Sequence, residues 1–302
     1  MSVPDPRPVR PFVVTPPSSH PDAVEAAFAA ARWWGLPSPT HLRTGMNALF
    51  TAGDDVLLRV GHVGAAGSAA VELYDVLAEN GIRTPRHLHR VPFEVGAYTV
   101  FAHRREHHTG VVDWCAVGEM VERLHRIAPD EIPSAYPQPW CGSFPWWDFP
   151  FMLDEVGGLI DDRALEAMRH TLAQDGRWPE LVEDDVVCHG DLHPGNVVQT
   201  LDGPVLLDWD LLCRGPRAWD HSPLMTWTQR WGGAGGVYES FAAGYGRSLR
   251  GDRLAESLAK LRLLAATLMR VRAGRHSLDA RLEAERRLGW WRGDSDAPWN
   301  AA

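Results

Sequence analysis

No window of the chain approaches eighteen uninterrupted apolar residues, so no segment is suited to cross a bilayer as a helix. The four cysteines, Cys115, Cys141, Cys188 and Cys213, never fall at C-x-x-C spacing, and no secretory apolar region precedes them. They read as reduced thiols of a cytoplasmic protein. Positive charge is also short: 30 Lys and Arg stand against 39 Asp and Glu, a formal net charge of −9. A general nucleic-acid binder carries a basic face, so that class is excluded and neutral or cationic partners are favoured. No internal repeat appears. Residues 1 to about 20 have few large apolar side chains and carry Pro4, Pro6, Pro8, Pro11, Pro16 and Pro17, the composition of a flexible tail.

What remains is enough for a fold of some size. A chain of 302 residues at 45% hydrophobic can bury a substantial core and divide into two lobes. Its most informative stretch runs from Val186 to Asp220. Val186, Val187 and Cys188 suit a short buried strand, and Gly190, Pro194 and Gly195 then break regular structure, which places Asp191 on a loop. Val197–Gln199 and Pro204–Leu207 read as two strands joined by a turn containing Asp202-Gly203. That turn pairs 199 with 204 and 196 with 207, so Asn196 lies beside Asp208 at the open end of a hairpin. Hard oxygen donors on a rigid hairpin suit Mg²⁺. Asp191 is then free to accept a proton from an attacking hydroxyl.

The run His189-Gly190-Asp191-Leu192-His193-Pro194-Gly195-Asn196, followed by Leu207-Asp208-Trp209-Asp210, resembles the catalytic and metal-binding motifs of the aminoglycoside phosphotransferase family, which shares the protein-kinase-like fold. The resemblance implies an α+β chain of two lobes. A small N-lobe of antiparallel sheet and helix would span 21–104, and a larger, mostly helical C-lobe 105–302. It also implies transfer of the γ-phosphoryl group of ATP, or GTP, with Mg²⁺, to a hydroxyl of a small molecule. Asp191 would be the catalytic residue and Asn196 and Asp208 the metal ligands. Asp210 would be a second ligand or a support for Asp208, His189 a further support, and Asp220 a brace for the catalytic loop or a helix N-cap.

Upstream, Asp22-Ala23-Val24-Glu25 resembles a capping box, and Val24, Ala27, Phe28 and Ala31 recur at helical spacing, predicting a helix that packs its Val and Phe face. Strands are expected at 41–44, 48–52 and 56–60. Within the resembled fold, the turn holding Gly45 and Asn47 would cover nucleotide phosphates. Arg59, on the third strand, would touch the α- and β-phosphates where the wider kinase pattern has lysine. Arginine keeps the charge and adds a planar fork, but differs in reach. The alternative for Arg59 is a solvent-facing residue on an edge strand. Ser68–Asn80 reads as a helix ended by Gly81, and its Glu72 would orient Arg59. A strand pair ends near Phe101, and the switch to polar sequence at 102–106 marks the lobe boundary.

Beyond it, Trp114, Val117, Val121 and Leu124 predict a central helix, with His125 at its end as a capping or core residue. Between Pro139 and Val187 eleven acidic residues face three basic ones, within an aromatic, proline-rich stretch. Rings and carboxylates together favour a cation, so Trp146, Trp147 and Asp148 are candidates for the acceptor pocket, an amine-bearing acceptor being expected. The competing reading has tryptophans filling a core and acids facing water. Gly232–Gly236 follows no strand and is rejected as a phosphate loop. Residues 252–290 read as amphipathic helix with arginines on the outer face, and the tail from Arg292 as polar and fraying. Two other functions compete: a kinase-like binding protein without catalysis, and a metal-dependent hydrolase using His189, Asp191 and His193. Oligomeric state is not encoded in any of these patterns.

Overall fold

The computed structural model describes residues 21–45, 47–62 and 67–300; the proline-rich stretch 1–20 lies outside them. Helix α1 (Pro21–Trp33) precedes strands β1 (Thr40–Thr44), β2 (Ala48–Thr51) and β3 (Val56–His62), helix α2 (Gly67–Glu79), and strands β4 (Phe93–Val95) and β5 (Tyr98–Arg104). The five strands form one antiparallel sheet in the order β1-β2-β3-β5-β4. β3 is therefore central, which rules out the edge-strand reading of Arg59.

Period-two alternation divides the sheet faces. Leu58, Val60, Val100 and Ala102 turn toward α1 and are buried with it. Helix α1 presents Ala23, Ala26, Ala27, Ala30 and Ala31 to the sheet, while Val24 and Phe28 are exposed. The expected Val and Phe face is thus the outer one; methyl side chains let the helix lie close against the pleated surface, which bulkier ones would hold off. Asp22 is already inside the helix, whose first described residue is Pro21, a residue suited to a first turn that needs no donor.

The large lobe begins with α3 (Trp114–Leu124), capped by Asp113 accepting from the Ala116 N–H at 3.1 Å. It continues through α4 (Phe149–Val156), α5 (Asp162–Asp175), β6 (Val186–Cys188), β7 (Val197–Thr200), β8 (Gly203–Leu206), β9 (Cys213–Gly215), α6 (Ala218–Met225), α7 (Trp227–Arg230), α8 (Val237–Tyr245), α9 (Arg253–Ala273) and α10 (Leu278–Trp291). Strand β6 pairs with β9, and β7 with β8. Ala69, Leu73 and Leu77 of α2 join the large-lobe core, so this helix couples the sheet to the lower body. Helices α3 and α8 cross at bare backbone: a Cβ on Gly118 would meet the Phe241 carbonyl oxygen at 2.0 Å, and one on Gly244 the Cys115 carbonyl oxygen at 1.8 Å.

The single long helix suggested for 252–290 is two, α9 and α10, broken at 274–277 where Ser277 caps the second through the Ala280 N–H. The segment after Arg292 does not fray. Trp299 is 1% exposed, packs edge-on against Trp231 and Trp290, and donates its backbone N–H to Arg230 at 2.7 Å. One large apolar side chain in a polar tail suffices to dock it.

Candidate active site

Strand β6 leads into the loop that carries Asp191. Gly190 sits at φ +90°, and a Cβ there would lie 1.8 Å from the Leu211 carbonyl oxygen, so only glycine fits. The carboxylate of Asp220 accepts the backbone N–H groups of His189 (2.8 Å) and Gly190 (3.0 Å). It also meets His125 Nε2 at 3.1 Å, while His125 Nδ1 lies 2.8 Å from the Tyr245 hydroxyl. The close crossing of α3 and α8 makes that last contact possible. Burial raises the Asp220 carboxyl, but His125, His189 and the Gly190 N–H outweigh it and hold it below the ordinary range. Asp220 is the third residue of α6, not its N-cap, and its carboxylate caps the loop instead.

On the other side of the same peptide, the Gly190 carbonyl accepts from Trp219 Nε1 (3.0 Å) and Arg262 Nη2 (3.1 Å). The backbone leading into Asp191 is therefore held by Trp219 and Asp220 of α6 and Arg262 of α9, with His125 behind Asp220.

The hairpin supplies the second half. Its register pairs Gln199 with Pro204 and Val197 with Leu206, and the Leu207 N–H donates to the Asn196 carbonyl at 2.8 Å, as the turn predicts. Asn196 Nδ2 donates to the Asp191 backbone oxygen (2.9 Å) and to Asp191 Oδ2 (3.2 Å), leaving the amide oxygen as its hard donor. Asp208 follows at φ 59°, the one described non-glycine residue in the left-handed region. Such strain persists only where surroundings enforce it. Trp209 enforces it here: it is buried, its ring nitrogen donates to Leu206 and its carbonyl accepts from the Tyr136 hydroxyl at 2.8 Å.

Across the cleft, Arg59 Nη2 meets Asp208 Oδ1 at 3.2 Å and pairs also with Asp210, and Asn47 Nδ2 donates to Asp210 Oδ2 at 3.0 Å. Burial works against the Arg59 charge, but Asp210 and Asp208 raise its pKa above the ordinary range. The Asp208 carboxyl is itself raised, first by burial and then by Asp210, with Asp191 adding to the crowding. Glu72 does not reach this cluster. It is exposed on α2, because the helical period that buries Val71, Leu73 and Leu77 turns it outward. Gly45 is exposed, its N–H bonded to the Asn47 carbonyl at 3.1 Å.

The three histidine-loop residues do not assemble a transition-metal site. His189 is fully buried with both ring nitrogens engaged, Nε2 donating to Leu207 O (2.9 Å) and Nδ1 accepting from the Asp191 N–H (3.3 Å). His193 Nδ1 accepts from the Gly195 N–H, and its Nε2 lies 3.5 Å from Asp191 Oδ2. The suggested acceptor residues also move. Trp147 is buried against Trp178 and Trp219, Trp146 stacks on Phe144, and Asp148 caps α4 through the Phe151 N–H. Trp147 thus packs in the core and Asp148 caps a helix, while Trp146 and Asp148 stay half-buried. Sequence reasoning missed Arg262 and Tyr136, which look like ordinary surface or core residues with no spacing that ties them to the loop, and it gave Trp219, next to the expected brace Asp220, no role of its own.

A five-stranded antiparallel lobe set over a helical lobe, with a loop carboxylate, an amide and a second carboxylate meeting a basic residue of the central strand, defines the protein-kinase-like class of small-molecule phosphotransferases. The chain belongs to the phosphotransferase enzyme family, which residues 47–264 match. No curated protein matches it in sequence. Among solved structures, it is similar to the GDP and kanamycin complex of APH(2″)-IIIa, at 13% identity and TM-score 0.69, over 91% of this chain and 99% of that one. Spectinomycin phosphotransferase with ADP and spectinomycin follows at 14% and 0.63, over 84% and 89%. A choline/ethanolamine kinase family protein from Mesorhizobium loti matches at 18% and 0.64, over 92% and 95%. At these identities the likeness concerns the fold.

Proposed function

We propose that the protein transfers the γ-phosphoryl group of ATP to a hydroxyl of a small molecule, with GTP as the alternative donor. The observation that carries this is a site in which Asn196 bonds Asp191 while Asp208, beside it on the hairpin, pairs with Arg59 of the small lobe. Burial pushes the Asp191 carboxyl up, but His193, Arg262 and His189 outweigh it and hold it at about 2. Asp191 is therefore ionised at neutral pH and accepts a hydrogen bond from the attacking hydroxyl. So weak a base takes the proton late, once the hydroxyl has been acidified by bond formation, which suits a loose transition state.

The donor set fits Mg²⁺: Asp208 and the Asn196 amide oxygen are hard ligands, Asp208 and Asp210 share a single arginine, and Asp191 adds a third negative charge that acts on Asp208. A bound Mg²⁺ would neutralise phosphate charge. Arg59 holds α- and β-phosphate oxygens through its fork, Asn47 keeps the β1–β2 turn over the cleft, and the Asp220 brace fixes the loop. The chain has one lysine, Lys260, among its 30 basic residues, so arginine at position 59 follows general usage and is no sign of lost catalysis. We take the functional lobes to divide at 104/105; the end of β5 at Arg104 supports that reading. The described cysteines are free, in keeping with a reducing cytoplasm, and no helix among the described residues is long and apolar enough to cross a membrane.

Related structures hold spectinomycin or kanamycin, and another belongs to the choline/ethanolamine kinases, so hydroxyl-bearing amines are the first acceptors to try. Incubation with ATP, Mg²⁺ and a pooled panel of aminoglycosides, amino alcohols and sugars should give one acceptor a mass gain of one phosphoryl group. Asp191→Asn should retain nucleotide binding while turnover falls roughly 10³-fold or more. Wild-type turnover in that variant would remove Asp191 from the chemistry. Tight nucleotide binding with no transfer to any acceptor would favour a binding protein.

A further inference from the structure

Arg262 is placed where an ordinary helix-surface arginine would not be. It projects from the middle of α9, half-buried, beneath the catalytic loop. Its Nε donates to Ser222 Oγ (2.9 Å), and its Nη2 donates to the carbonyls of Gly190 (3.1 Å) and Trp219 (3.2 Å). Its guanidinium carbon stands 4.5 Å from the centroid of the Trp219 ring. Among the described residues no carboxylate lies within ion-pair reach of it. A guanidinium taken partly out of water is costly, and beside the longer-range attraction of Asp191 and Asp220 only neutral oxygens and a ring face offset that cost. What the arrangement does achieve is geometric. One rigid fork ties α9 to both ends of a unit: the peptide entering Asp191, and the Trp219 backbone next to the Asp220 brace.

We infer that Arg262 is a positioning residue for phosphoryl transfer, holding the Gly190 carbonyl so that the Asp191 carboxylate is kept in line with the attacking hydroxyl. The inference rests on the phosphotransferase reading above. The Gly190 peptide has its N–H fixed by Asp220 and its oxygen by Trp219 and Arg262, so removing Arg262 frees one side of a clamp without dismantling it. Asp191 would then sample misaligned positions, with the nucleotide contacts of Arg59, Asn196 and Asp208 left in place. Lysine keeps the charge but lacks the planar fork that reaches Ser222, Gly190 and Trp219 together.

The test compares wild type with Arg262→Met, Arg262→Lys, Ser222→Ala and Asp191→Asn. Two readouts are taken: slow hydrolysis of Mg·ATP with water as acceptor, and backbone amide exchange of peptides covering 188–192. In Arg262→Met, kcat should fall roughly 10²-fold at unchanged KM for Mg·ATP, as a displaced catalytic group implies. Exchange in 188–192 should quicken about tenfold or more while the helices keep their protection. Arg262→Lys should lie between wild type and Met, and Ser222→Ala, which removes the acceptor of Nε and the hydroxyl that donates to the Trp219 carbonyl at 2.9 Å but leaves the Arg262–Gly190 contact, should shift both readouts the same way by less. Unchanged exchange in 188–192 in Met and Lys, or a raised KM at wild-type kcat, overturns the inference. If Met does not fold, the Lys and Ala variants decide on the same criteria. Should Asp191→Asn hydrolyse ATP at the wild-type rate while Arg262→Met still loosens the loop, the phosphotransferase reading itself has failed, and the claim about the base falls with it.

Discussion

At the scale of single residues, the site is governed by an excess of negative charge confined in a small space. Asp191, Asp208 and Asp210 converge, and Arg59 answers only the last two directly. The Asp208 carboxyl is raised by burial and by Asp210, so the hairpin end gains from any cation that joins it. Asp208→Ala should therefore abolish the Mg²⁺-dependent part of nucleotide affinity, a loss of about tenfold or more in titration calorimetry with ADP, while metal-free affinity stays or rises. Equal Mg²⁺ enhancement in wild type and variant would take Asp208 out of the metal site. Glu72 and Arg59 show the limit of reading residues singly. The carboxylate nearest in sequence pattern faces solvent, and partners 149 and 151 positions away meet the arginine.

At the scale of elements, the hairpin was legible because its chemistry is local. Asn196, Asp208 and the turn between them lie within one supersecondary unit, and two-residue periodicity fixes which side chains share an end. Helix faces were less legible. The alanine face of α1 is buried and its Val24 and Phe28 are not, since hydrophobicity alone does not record how close a sheet comes. The C-terminal segment is the sharper case: a polar composition suggested fraying, yet Trp299 closes over Trp231 and Trp290, and Asn300 donates to Glu283 Oε1 at 2.9 Å. Trp299→Ala should cost about 3 kcal/mol or more, as large-to-small changes at fully buried aromatic positions do. Urea denaturation would show it as a lowered midpoint at constant slope. A change within about 0.5 kcal/mol would mean the segment is not docked in solution.

At the scale of the whole molecule, buried histidines link the fold to pH. Burial, then Arg59, lowers His87 from 6.5 to about 4; burial, then His125, lowers His221 from 6.5 to about 3; His103 is lowered likewise by its burial and by His87. These groups stay neutral in the fold but take protons when the chain unfolds. The unfolded state thus binds more protons between pH 6.5 and about 4, and stability must fall as pH drops through that window. Each such histidine contributes a slope of up to about 1.4 kcal/mol per pH unit. Urea midpoints measured from pH 7 to pH 5 should decline, and His87→Leu, which removes two ring nitrogens with no partner, should flatten the decline. A profile level over that range would show the histidines protonated within the fold.

The chain by itself determined the Asp191 loop, the hairpin register and the positions of the first three small-lobe strands along the sequence, since these depend on short-range spacing, glycine and proline placement, and strand alternation. Only the tertiary structure decided the rest. It put the Asp148 stretch into a tryptophan core, assigned Arg59 its carboxylates, and gathered His125, Trp219, Asp220 and Arg262 around one peptide. The physical reason is separation along the chain. An arginine on a helix has the same local signature whether it faces water or a glycine carbonyl 72 positions away, and only the packing of α9 against α6 distinguishes the two.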